Sequence, residues 1–155
     1  MIIIEKATGN SHPIEIVPVE ITDYKHLTKK RYFFHWKDEK KFEVYKLRII
    51  NSTDILGLIS LERIPNEWRV HIRLLTVSVE NKGTHKTFDN IAGNLITFAA
   101  KIAILEYAEM ACVSLRPKTE IAKHYIEKYQ MTATGITLSI EMPEILHLIN
   151  RFDHD

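Results

Sequence analysis

A chain of 155 residues is long enough for one domain with a single sizeable core. Its 45% hydrophobic and 26% charged residues are ordinary for a soluble globular protein, and a formal net charge of +1 gives no global pull toward nucleic acid or an acidic membrane. The single cysteine, Cys112, excludes an internal disulfide; it lies in an apolar run and reads as an inert core thiol in a reducing, cytoplasmic setting.

Residues 1–4 read as a short strand or a partly ordered end, too short for a secretory leader and closed off by Glu5. No run approaches the roughly 18 apolar residues that a membrane span needs. Gly9 to Pro13 marks a turn. Residues 14–19 alternate as a strand, with Pro18 placing it near an edge or at its end. Thr22 or Asp23 then caps a helix over 24–36, where Lys25, Lys29, Lys30 and Arg31 interleave with Tyr24, Tyr32, Phe33, Phe34 and Trp36. Residues 37–41 form a charged, solvated connection. Strands follow at 42–50 and 55–64, separated by a turn at 51–54. Gly57 signals a bulge or the close approach of another backbone. Pro65 and Asn66 turn the chain into a third antiparallel strand.

The most informative stretch runs from Arg69 to Ile104. Val70, Ile72 and Leu74 alternate with Arg69, His71 and Arg73, the period of a strand. A polar loop carries Lys82, Gly83, Thr84, His85 and Lys86. A helix over 91–107 follows, with Leu95, Phe98, Ala99, Ile102 and Leu105 at helical spacing, capped by Asp89 or Asn90. A strand, a basic glycine-bearing loop and a helix N-terminus make an anion cradle, because free N–H groups and the positive dipole end converge. Gly93 in the first turn admits close approach of a ligand to the helix backbone or tight packing on the sheet.

Residues 111–115 read as a buried strand parallel to its neighbour, completing a βαβ unit. A helix over 119–130, a strand over 135–142 and a terminal helix opened by Pro143 finish the chain. Glu62 and His71 flank the hairpin, beside Arg73, and offer candidates for a general base on the central strands. Metal-ligand spacing, a Ser-His-Asp signature and a phosphate-binding Walker loop are absent. From Asp23 to Lys46 there are eight Lys/Arg and four Asp/Glu. Interleaved bases and aromatics are one way to bind nucleic acid, but an amphipathic helix with buried rings and wet lysines is the reading preferred here.

Leu75, Val77, Lys82 and Gly83 resemble the Leu-x-Val-x-Pro-x-x-Arg-Gly pattern of the GNAT superfamily of N-acetyltransferases, with Val79 in place of the Pro and Lys82 in place of the Arg. Aligned on the helix, Ala92 takes the family's final Gly/Ala position, which leaves five extra residues in the loop. Further on, Thr119 and Ala122 resemble the family's Asn-x-x-Ala, whereas Ile126 replaces its tyrosine and Gln130-Met131 its Gly-Phe.

The resemblance implies an α/β domain over 1–155 with the acyl-CoA N-acyltransferase fold: a mixed twisted sheet, helices on both faces, and acetyl-CoA as co-substrate in a gap between the strands at Val77 and Val113. It implies an acetyl-CoA-dependent N-acetyltransferase acting on a small-molecule or protein amine. Leu75, Val77, Lys82, Gly83, Thr84, His85, Lys86, Ala92, Gly93 and Thr119 would hold the cofactor. Tyr125 or Tyr129 would replace the missing acid, Glu62 or His71 would serve as base, and Tyr32, Phe34 and Trp36 would line the acceptor pocket. A homodimer is compatible with such a domain, and no nucleic-acid or membrane partner is expected. The alternative is a non-catalytic ligand- or protein-binding module on the same fold.

Overall fold

Along the strand Glu43–Ile49 the side chains serve two different cores. Val44 packs toward one side, while Tyr45, Leu47 and Ile49 pack toward the other, as the two-residue period of a strand requires. The computed structural model describes residues 1–117, 119–134 and 137–153. Its strands are β1 Ile2–Glu5, β2 Ser11–Pro18, β3 Glu43–Ile49, β4 Gly57–Ile64, β5 Arg69–Val77, β6 Phe88–Asp89, β7 Cys112–Leu115, β8 Thr132–Thr134 and β9 Thr137–Glu141. Its helices are α1 Lys29–Tyr32, α2 Ile91–Tyr107, α3 Thr119–Tyr129 and α4 Glu144–Phe152.

The strands make one mixed sheet in the order β6-β1-β2-β3-β4-β5-β7-β9-β8. From β2 to β5 the neighbours are antiparallel. β5 and β7 are parallel and joined through α2, the expected βαβ unit. α2 packs on β4, β5 and β7 and against α4. Its Leu95, Ile96 and Ala99 are fully buried with Leu47, Ile59, Val70, Val113 and Ile145, and each of the leucines, isoleucines and valines contributes about 1.5–3 kcal/mol. By length and composition the helical stretch from Ile91 to Met110 would suffice to cross a membrane, but here it forms the core.

The opposite face is covered over β3 and β4 by the segment from Ile21 to Glu39, and here the structure corrects the sequence. The expected helix over 24–36 is three short pieces: tight turns at Ile21–His26 and Trp36–Glu39, with the one-turn α1 between them. The first is capped at Glu20, not at Thr22 or Asp23; the Asp23 carboxylate reaches back to accept the Glu20 N–H at 2.8 Å. Thr28 caps α1 and Phe33 ends it in the left-handed region (φ 70). Tyr32 and Trp36 do not line a pocket. They are 2% and 1% exposed; the Tyr32 hydroxyl donates to Ile55 O at 2.8 Å, and Trp36 Nε1 donates to Tyr32 O at 3.0 Å.

Four smaller differences follow. β2 already begins at Ser11, within the expected turn. The final strand is a hairpin of β8 and β9, and residues 135 and 136 of its expected span lie outside the described residues. Cys112 is not a core residue; it is half-buried on the face away from α2, and burial raises its thiol above the ordinary value, which lowers its thiolate fraction. Gly57 does mark close approach, since a Cβ there would lie 2.7 Å from Ile91 and 3.3 Å from Thr76 O. The bulge, however, lies elsewhere.

Candidate functional site

Ser60 pairs with Leu74 and Leu61 with Ile72, so Arg73 is an extra residue in β5. The pairing of β5 with β7 ends at Ile72 and Leu115. The bulge therefore sits at the residue where the two parallel strands part. Beyond it β5 continues alone beside β4. Ser78 N–H donates to Leu56 O at 2.9 Å, toward β4. By alternation Leu75 and Val77 turn their backbone groups the other way, into the gap that β7 leaves. Thr76 Oγ1 donates to the Val77 carbonyl at 2.9 Å.

At the end of β5 the loop is tied at a neck. Buried Asn81 donates to Ser78 Oγ at 2.9 Å and accepts Phe88 N–H at 2.8 Å; Thr87 N–H donates to Glu80 O at 3.3 Å. Residues 82–86 form an excursion from that neck, which matches the five surplus residues counted in the sequence. Lys82, Gly83, Thr84 and His85 are exposed. Gly83 takes a left-handed φ of 85° with nothing near a Cβ. Lys82 Nζ lies 4.5 Å from the Phe33 ring centroid, and Lys86 Nζ lies 2.9 Å from Asp89.

α2 begins at Asn90 in the left-handed region (φ 76). The expected side-chain cap is not formed: Asp89 Oδ1 accepts the Asn90 N–H at 2.9 Å and pairs with Lys86, while the Asn94 amide donates to Ile2 O and Asn90 O. The amides of Ile91, Ala92 and Gly93 precede the first intrahelical bond and receive no side-chain acceptor from Asn90. Gly93 itself is a packing residue, since a Cβ there would lie 2.4 Å from the Phe152 ring. Ala92 is partly exposed beside it.

On the face away from α2, Glu62 and His71 are register partners, as their positions around the hairpin suggested. His71 Nδ1 lies 2.8 Å from Ser114 Oγ, and Arg69 Nη1 donates to the same oxygen at 2.7 Å while lying 3.4 Å from Nδ1. A guanidinium has only donors, so Nδ1 is assigned as the acceptor and the ring proton resides on Nε2. Burial, then the Arg69 charge, holds this imidazole below its ordinary pKa. His71 is thus neutral near pH 7 and presents a donor outward. At the bulge, Glu39 is 6% exposed and accepts Ser60 Oγ at 2.8 Å and Arg73 Nε at 3.0 Å. The Arg73 guanidinium stacks 3.6 Å from the Phe42 centroid and reaches Glu62 at 3.5 Å.

Thr119 opens α3. Tyr129 is 3% exposed and packs against Phe152, with ring centroids 6.3 Å apart. Tyr125 is partly buried, 5.9 Å from Tyr129. Burial raises both phenols, Tyr129 the more strongly. Ile126, which stands where the family has tyrosine, is 41% exposed. The structure thus gathers Leu75, Val77, the loop and the first turn of α2 at one end of the gap, and Glu62 with His71 across the sheet from them. Glu39, Ser60, Arg69 and Ser114 were missed. Glu39 lies in a charged run that reads as solvated, and only the polarity of Ser114 within an apolar strand hinted at a role.

No family sequence profile and no curated protein sequence matches the chain. Solved structures do. A spermidine/spermine N-acetyltransferase from Vibrio cholerae superposes with a TM-score of 0.63 at 13% identity, covering 87% of this chain and 96% of its own. The ribosomal-protein-S18-alanine N-acetyltransferase from Escherichia coli gives 0.60 at 10% identity over 82% of this chain and 92% of its own. N-acetylglutamate synthase from Neisseria gonorrhoeae, complexed with coenzyme A and L-arginine, gives 0.64 at 10% identity over 85% of this chain and 34% of its own. With the strands parting at a bulge in the middle of a mixed sheet, the chain has the fold of the GNAT superfamily of acyl-CoA N-acyltransferases.

Proposed function

We propose that the protein is an N-acetyltransferase that uses acetyl-CoA to acetylate an amine. The observation that carries this reading is the coincidence of the Arg73 bulge with the parting of β5 and β7 after Ile72 and Leu115. That arrangement leaves backbone N–H groups in a gap flanked by apolar side chains, which suits an extended amide-bearing arm. The uncapped first turn of α2 and the basic excursion at Lys82 and Lys86 suit its phosphates. Lys86 would have to leave Asp89 to contribute, and Gly93 is closed off by Phe152.

When bound, acetyl-CoA supplies an activated thioester. The amine nitrogen bonds to the acyl carbon, the carbon–sulfur bond breaks, and the proton that nitrogen loses balances the one the thiolate gains. The chain's part is positioning and stabilisation of the oxyanion by a backbone N–H of β5 freed just beyond the Arg73 bulge. With its proton on Nε2, His71 serves as a donor that orients the acceptor, which leaves Glu62 as the group able to take a proton directly or through water.

A second reading, a binding module without catalysis, is favoured by one observation: Ile126 carries no proton and Tyr129 is packed in the core. Calorimetric titration with acetyl-CoA, followed by assay of thiol release over a panel of amines, separates the two. Absence of acetyl-CoA binding overturns the enzymatic reading and leaves a module for another ligand or for a protein.

A further inference from the structure

The segment from Ile21 to Glu39 covers the face away from α2 only over β3, β4 and the adjoining part of β5. Over β5, β7, β9 and β8 that face is open and forms a cavity of about 590 Å³, within the size range of small-molecule sites. Alternation explains its lining. Val113, Leu138 and Ile140 belong to the α2 core, so Ser114, Cys112 and Glu141 point the other way. The inner end is Ser114, 1% exposed, one residue before β5 and β7 part. The outer end is formed by Glu109, Glu141 and the pair Glu67 and Trp68.

Three carboxylates and one guanidinium line this space. The guanidinium is spent: Arg69 Nε donates to Glu67 at 2.8 Å and Nη1 donates to Ser114 at 2.7 Å. Glu109 and Glu141 have no ion-pair partner among the described residues. At the rim, Trp68 is 49% exposed and held in the left-handed region at φ 50, a strained conformation for a bulky residue. It presents an indole where a cation would pass.

We propose that this cavity is the acceptor pocket and that it takes a primary amine carrying a second cationic nitrogen. That it holds the acceptor rests on the acetyltransferase reading; that it selects a dication rests on its own walls. The spacing follows from the sheet. Glu141 pairs with Cys112, two to three residues from Ser114 and Leu115, or about 7–10 Å at the rise of a strand. The reacting nitrogen lies at the inner end beside Ser114 and His71, and the second charge lies between Glu141 and Glu109. A neutral tail would leave both carboxylates without a counter-charge, and an anionic one would be repelled.

The test is calorimetric binding of hexamethylenediamine and of hexylamine to the full chain, with acetyl-CoA titrated separately. The diamine binds about tenfold tighter than the monoamine, salt weakens it, and Glu109→Gln with Glu141→Gln removes the difference while acetyl-CoA affinity holds. Equal affinity for the two amines, or a diamine preference that survives the double substitution, overturns the proposal. Diamine binding that depends on both glutamates in a protein that fails to bind acetyl-CoA keeps the cavity's selectivity and defeats the enzymatic reading instead.

Discussion

Arg73 and Glu39 meet at 3.0 Å on the bulge where β5 and β7 part, and Glu39 is 6% exposed. The pair joins the covering segment to the extra residue of the strand. Removing one partner leaves the other polar and poorly solvated, and costs more than the pair contributes. Arg73 is about one-third exposed, so solvent screens part of the effect. Glu39→Ala should lower stability by about 1–3 kcal/mol in urea unfolding, and Glu39→Ala combined with Arg73→Ala should cost less than the sum of the single changes. Additive losses would show that the two act independently.

Asp23 and Lys46 form the other polar anchor of that segment, at 2.6 Å with Lys46 only 5% exposed. Burial alone would raise the Asp23 carboxyl, but the hydrogen bonds from Lys46 and the Glu20 amide, with the Lys46 and Arg48 charges, bring it below its ordinary value. A depressed native pKa means the unfolded chain binds the proton more tightly. The contribution is therefore complete above the unfolded value near ~3.9 and is lost as pH falls through the native one. Asp23→Asn should destabilise at pH 7, and the gap to the wild type should close at acid pH. A gap that persists at pH 2 would assign the effect to packing.

His71 tests the tautomer argument. Nitrogen NMR should show a neutral ring with its proton on Nε2 at pH 7. Arg69→Gln removes a positive charge beside the ring, so the His71 pKa should rise. If the proton lies on Nδ1, Ser114 is the acceptor and His71 regains Nε2 as a base.

Where local pattern decided structure, the sequence was readable. β5 alternates and α2 repeats at 3.6 residues for long enough that α2 was bounded correctly at Ile91–Tyr107. The segment from Ile21 to Glu39 was not readable, because its shape is set by distant partners. Tyr32 bonds Ile55, Asp23 bonds Lys46, and Glu39 bonds Ser60 and Arg73; none of these pairings leaves a periodic trace. The candidate site divides the same way. The loop and the first turn of α2 are contiguous and showed in the motif. The network of Arg69, His71 and Ser114 joins β5 to a strand more than forty residues away and appears only when the two pair.

Gly93 is explained by Phe152, 59 residues further on, whose ring a Cβ would meet at 2.4 Å. Gly93→Ala gains about 1 kcal/mol of helix propensity against about 1–3 kcal/mol of overpacking. The net should be a loss in thermal stability that Phe152→Leu partly restores. A variant that keeps full stability but loses acetyl-CoA affinity would return Gly93 to the role of admitting a ligand.

In the proposed acetyl transfer, the leaving thiolate is the step for which the tyrosine of the resembled family is missing. Ile126 carries no proton, which leaves Tyr125 and Tyr129. Both phenols are raised by burial, so each keeps its proton through the neutral range and parts with it less readily than a free tyrosine. A thiol has a pKa near ~8.5, so its thiolate is a fair leaving group and needs little help. Of the two, Tyr129 is held among Tyr125, His124 and Phe152 in the core, whereas Tyr125 retains a partly open side. Tyr125→Phe should slow turnover by about tenfold, the low end for a positioned acid, with acetyl-CoA affinity unchanged. Tyr129→Phe should leave turnover close to the wild type. The rate lost in Tyr125→Phe should not depend on pH between 6 and 8, because the raised phenol does not ionise there. Wild-type turnover in both variants would mean that the thiolate takes its proton from water, and a loss confined to Tyr129→Phe would place the acid inside what is otherwise a packed core.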